Sequence, residues 1–268
     1  IICTTGSLMM LILFLFGIVI GSFLNVCISR LSGGEYFFPL PASCVICGAR
    51  LGFIEKMAYV FLGGRCRHCG AKVPSRHLLV EVLTGMLFSL LYQARGFDHN
   101  LIPYIFLTSL LIVMSFIDIE HYIIPDSLVV TGLAVGVIFY AYRVALGMTP
   151  WWDPLAGMVA GSFAFLLAGI FSLILFKREG MGGGDIKIMG AIGLMLGLKL
   201  TLLTVLLSVF LGGMLGVLVL LLRCKKKDEM IPFGPCIAVG AYIAMLCGDK
   251  IISWYFKTMI ALQALLLI

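Results

Sequence analysis

LTLLTVLLSVFLGGMLGVLVLLL, residues 200–222, carries no charged side chain along its whole length. As a helix rising about 1.5 Å per residue it reaches roughly 30 Å, the thickness of a bilayer's hydrocarbon core. Its apolar residues are continuous and do not alternate with polar ones, which excludes a strand of a membrane β-barrel. Working outward, similar apolar segments fall at 7–29, 77–94, 101–117, 127–146, 154–176 and 233–248, with a shorter one at 186–198. A further apolar tail, 251–268, reads as a ninth span or an interfacial helix. Of 268 residues, 62% are hydrophobic and 12% charged, far more apolar side chain than a soluble fold needs. The expected fold is therefore an all-α polytopic membrane protein in a lipid bilayer, with about eight transmembrane helices. The first segment is long for a signal peptide and lacks a basic region before it, so it reads as a retained helix.

Lysine and arginine bias orients such a chain. The loop 30–76 holds Arg30, Arg50, Lys56, Arg65, Arg67, Lys72 and Arg76. Alternating the spans puts Lys177, Arg178, Lys187, Arg223 and Lys225 to Lys227 on the same side, 14 of the 19 basic residues in all. That face is expected to be cytoplasmic, with the N-terminus outside. The net charge of +6 is thus mainly a topology signal. No basic face interleaved with aromatics is present, so nucleic acid is not an expected partner.

Within the loop the chain reads Cys44-x2-Cys47-x18-Cys66-x2-Cys69. Two CxxC knuckles, each followed by a glycine, suit tetrahedral thiolate ligation of zinc. A reducing cytoplasm makes disulfides the weaker alternative. The expected division is a first helix at 1–29, a small zinc-ribbon-like cytoplasmic domain at 30–76, and a membrane domain at 77–268. His68 lies inside the second knuckle, but four thiolates already fill the site. Cysteines 3, 27, 224, 236 and 247 read as small apolar packing residues.

Carboxylates close to hydrocarbon are costly and therefore informative. Span 101–117 runs directly into Asp118, in SFIDIEHYIIPDSL. Span 154–176 leads on the same membrane face to GMGGGDIKIMG, residues 180–190, which contains Asp185. Two aspartates from different helices at similar depth share one proton, because like charges that close do not both ionise easily. One carboxylate then activates water while the protonated one polarises a peptide carbonyl, which is aspartic-protease chemistry. The glycines permit irregular backbone beside a wet cleft and close approach of a substrate chain. The blander reading makes the glycines a plain turn with Asp185 capping the next helix. Asp126, after Pro125, reads as an N-cap. Glu120 and His121 read as headgroup-level residues, and Asp98 and Asp153 as solvated external loop residues. Glu81 reads either as one half of an ion pair or as part of a site.

These pieces together resemble the bacterial type IV prepilin peptidases, over nearly the whole chain. GSFLNVCISRL at 21–31, PASCVIC with GRCRHCGAKVPSRHLLVE, FIDIEHYIIPD, GMGGGDIKIMGAIG and IPFGPCIAVGA at 231–241 carry the likeness, in the family's order. The resemblance implies that Asp118 and Asp185 are catalytic and that Gly182 and Gly184 are the glycines of the GxGD motif. It implies cleavage of a short basic leader from prepilins or pseudopilins, at the cytoplasmic face of the bacterial inner membrane. It further implies methylation of the new N-terminus with S-adenosylmethionine, through residues the chain does not identify. The competing expectations are a cleavage-only peptidase and a transporter that uses intramembrane carboxylates.

Overall fold

The computed structural model describes residues 2–31, 69, 75–176, 182–222 and 232–266. Among the described residues the chain forms eight helices. They are α1 (Ile2–Leu31), α2 (Ser75–Arg95), α3 (Leu101–His121), α4 (Asp126–Ala145), α5 (Trp152–Phe176), α6 (Gly183–Leu196), α7 (Leu198–Leu221) and α8 (Gly234–Leu266). Seven of them, all but α6, are long and apolar enough to cross a membrane. Each falls on a span expected from the sequence. The expected zinc-ribbon domain lies almost wholly outside the described residues.

Against the expectation of about eight transmembrane helices, seven of the described helices qualify, because α6 is too short. Two further expectations are corrected. The tail 251–268 does not begin a separate span, since α8 runs unbroken from Gly234 to Leu266. Nothing between Gly248 and Ile252 breaks it: Gly248 packs closely on Leu200, and no proline intervenes. Asp126 is not an N-cap. Pro125 takes that place with extended φ and ψ, no side chain caps the helix, and Asp126 lies in the first turn.

The chain divides into two compact units, Ile1–Ile117 and Asp118–Ile268. In the first, α1 packs along α2. Lipid tails are as apolar as leucine, so burial alone does not drive helices together, and small residues that let backbones approach do that work. Gly17 and Gly21, one turn apart on α1, lie against Gly85 and Glu81 of α2; a Cβ on either would come within 2.6 Å of a Cα. The Asn25 amide donates to the His77 carbonyl at 2.9 Å and fixes the register.

In the second unit the short helix α6 is the centre, packed against α4, α5, α7 and α8. Every residue from Ile188 to Leu196 is buried. At 14 residues it spans about 21 Å, too short to cross hydrocarbon unaided, and the longer helices around it supply its surroundings. Its contact with α5 is again made by glycines. A Cβ on Gly157 would meet the Gly193 carbonyl oxygen at 2.5 Å, and one on Gly190 would meet Ser162 Oγ at 2.7 Å. At the far end the buried Arg143 of α4 donates to the Met195 carbonyl at 2.7 Å, placing a cation at the negative end of the α6 dipole. Asp153 also differs from expectation. It sits in the first turn of α5, where its carboxylate fills the space a Cβ on Gly197 would need.

Candidate functional site

The two aspartates singled out from the sequence both belong to the second unit. Asp118 lies in the last turn of α3, where the helix continues three residues further to His121. Its side chain is buried. Its Oδ2 accepts a 2.7 Å hydrogen bond from the backbone N–H of Gly234, the first residue of α8. Just beyond, Tyr122 closes the helix with φ of 56°, its N–H donating to the Asp118 carbonyl at 2.9 Å. A side-chain-bearing residue in that conformation is strained, and such residues collect at functional sites.

Asp185 is the third residue of α6 and is also buried. Its Oδ2 accepts the Gly182 N–H at 3.2 Å, as the acidic member of a capping box does. The capping reading is therefore correct as far as it goes. It accounts for one oxygen, however, and Oδ1 is buried with no hydrogen-bond partner among the described residues. The cap alone therefore leaves that buried oxygen without an account. Asp185 lies outside the seven long spans. Burial, and secondly the charge of nearby Asp118, push its carboxyl up to about 6 against the opposing pull of the Gly182 amide. The two carboxylates, 67 residues apart in sequence, are thus close enough to act on one another.

The glycines of the motif have unequal roles. A Cβ on Gly184 would lie 2.8 Å from Ile124 Cβ, so the start of α6 fits against the Tyr122–Pro125 connection only because position 184 is bare. Gly182 adopts φ −71° and ψ 145°, open to any residue, and a Cβ there would meet Asp185 Oδ2 at 3.4 Å, an ordinary contact. Nearby, Lys187 of α6 pairs with Asp126 of α4 at 2.7 Å, with both side chains exposed.

Glu120 and His121 are exposed, as expected of headgroup-level residues. Glu81 is buried in the first unit and accepts a hydrogen bond from Ser22. Of the predicted zinc ligands, Cys44, Cys47 and Cys66 lie outside the described residues and Cys69 is exposed. Among the described residues no group of three or more His, Cys, Asp or Glu side chains is placed to hold a metal ion. Cys27 and Cys236 are buried packing residues as expected, while Cys247 is exposed and is not. Sequence reasoning missed Gly234. The signal was present in its place inside IPFGPCIAVGA, but nothing local tied that stretch to Asp118.

Fold and site define a multi-pass helical membrane protein with a pair of buried carboxylates at the ends of two helices. The chain belongs to the type IV leader peptidase family, whose model matches residues 105–217 and so includes both aspartates. The bacterial peptidase A24 N-terminal domain matches residues 15–94. The chain is 32% identical to a prepilin leader peptidase/N-methyltransferase of Aeromonas salmonicida strain A449, over 93% of this chain and 94% of that one. It is 31% identical to the enzyme of that name from Bacillus subtilis strain 168, over 93% and 98%. It is 33% identical to that of Pseudomonas aeruginosa, over 91% and 92%. No solved structure matches.

Proposed function

We propose that this protein removes the leader peptide from type IV prepilins or pseudopilins and then N-methylates the exposed residue. The observation that carries the cleavage half is the pair of buried aspartates, Asp118 and Asp185, each with Oδ2 held by a glycine amide. Two buried carboxylates, one of which raises the other's proton affinity, favour holding one proton between them. Asp185, pushed up by burial and by its neighbour's charge, is the one that keeps it. Asp118 takes a proton from water as the water oxygen attacks the scissile carbonyl carbon, and Asp185 protonates the carbonyl oxygen. Collapse of the tetrahedral species returns a proton to Asp185 and sends the other from Asp118 to the leaving amine.

The relatives' names carry the methyl-transfer half. S-adenosylmethionine is the donor in this reading and supplies an electrophilic methyl group. Cys44, Cys47, Cys66 and Cys69 have the chemistry and spacing to hold a structural zinc ion in a 30–76 domain, with the peptidase domain at 77–268. The lysine and arginine bias supports an inner-membrane protein with both aspartates toward the cytoplasm. Mass spectrometry of a prepilin incubated with the purified enzyme and S-adenosylmethionine tests both halves. A cut at the leader junction with a gain of one methyl group is expected, and an intact precursor rejects the reading.

A further inference from the structure

Of Pro232-Phe233-Gly234-Pro235, where α8 begins, only the Gly234 amide enters the reading above. We propose that this turn is the positioning element for Asp118 in leader cleavage, acting through the backbone N–H of Gly234; the inference rests on the peptidase reading.

A helix start leaves its first four N–H groups without intrahelical partners. In α8, whose cap residue is Phe233, these belong to residues 233–236. The Cys236 and Ile237 amides both turn back to the Phe233 carbonyl, at 3.0 and 3.1 Å. Pro235 has no N–H to give. Within the helix itself the donor on Gly234 remains, and it reaches across 116 residues of sequence to Asp118 Oδ2 at 2.7 Å. The Phe-Gly-Pro order thus leaves the first N–H inside the helix free to bind one carboxylate. The positive end of the α8 dipole favours a negative charge at that spot.

Each of the three residues has a separate task. Phe233 anchors the turn. Its ring meets Phe165 of α5 edge-on, with centroids 5.8 Å apart, and fills the space a Cβ on Gly212 of α7 would take. Gly234 lets the carboxylate approach, since a Cβ there would lie 2.8 Å from Asp118 Oδ2 and 3.1 Å from its Cγ. Pro235 removes the next competing donor. Two further helices thereby fix which way an aspartate on α3 presents its oxygens. Asp185 is held in the same manner by Gly182, so each carboxylate gives one oxygen to a glycine amide at the start of a helix.

The bland alternative is that Asp118 merely caps α8. The two are separated by replacing residue 234 with glycolic acid in the full-length enzyme, which exchanges the N–H for an ester oxygen without adding bulk. Leader cleavage of a prepilin substrate, methyl transfer to a pre-cleaved pilin and thermal unfolding are measured together. A hydrogen bond to a charged group is lost, so kcat for cleavage is expected to fall about ten- to a hundredfold. KM and methyl transfer should stay at wild-type values. Wild-type kcat in the ester enzyme, with or without a lower melting temperature, overturns the proposal and leaves the bond as a helix cap. If the ester enzyme does not fold, Phe165→Leu decides, because it loosens Phe233 while leaving both aspartates and Gly234 intact. A lowered kcat with normal methyl transfer supports positioning, and an unchanged kcat rejects it. Failure of the wild-type enzyme to cut any prepilin sinks the peptidase reading itself, a different result from either.

Discussion

Asp185→Asn is expected to inactivate leader cleavage and, at neutral pH, to stabilise the protein. The Asp185 carboxyl is raised from 3.8 to about 6 in the fold. For an acid raised in this way, the folded state holds its proton more tightly than the unfolded chain does. Stability from this group is complete below pH 3.8, declines as pH rises, and is lost above about 6. A shift of about two pH units corresponds to roughly 3 kcal/mol at 1.36 kcal/mol per unit. Asparagine is neutral throughout and still offers an oxygen to the Gly182 N–H, so it avoids the penalty without losing that bond. At about 2 °C per kcal/mol for a chain of this size, the variant should melt roughly 6 °C above wild type at pH 7.5. At pH 4 the two should melt nearly together. The assay is thermal unfolding in a mild detergent across that pH range. Because Asp118 contributes part of the shift, the gap should narrow when the same pair is compared in an Asp118→Asn background. A difference that is flat with pH, or a variant that is less stable at pH 7.5, refutes the reasoning.

Asp118→Ala and Asp185→Ala should each abolish leader removal while the protein still inserts and purifies; a gel-shift assay showing full processing by either variant rejects the pair. Gly184→Ala should reduce cleavage far more than Gly182→Ala, since only the former meets a neighbour too closely, at Ile124 Cβ, and Ile124→Gly, which removes that atom, should restore part of the loss. Activity of the three variants against one prepilin checks this, and equal effects at 182 and 184 contradict it. Changing Cys44, Cys47, Cys66 and Cys69 together to serine should remove one zinc per chain as read by elemental analysis, and a wild-type protein without zinc defeats that expectation.

The membrane spans were legible because hydrocarbon imposes a crude requirement, about 20 apolar residues per crossing, which a single segment such as 200–222 satisfies by itself. Asp118 and Asp185 were legible for the converse reason. A carboxylate beside hydrocarbon costs so much that its presence is a signal without any knowledge of its neighbours. The boundary of the last helix and the role of Asp126 were not legible. A charged pair such as Asp249-Lys250 looks like a break in a linear sequence, yet the helix continues through it. Asp126 carries the right side chain for a cap, but Pro125 already holds the cap position and Lys187 lies within reach.

The sequence by itself determined the helical membrane fold, the positions of its long spans and the two acidic residues, since each follows from local composition against a uniform solvent. The tertiary structure decided which glycine matters and what each carboxylate touches. Gly184 is required by Ile124, and Gly234 is required by an aspartate 116 residues away. Close approach of two backbones depends on how separate helices cross, and no stretch of chain read alone contains that information.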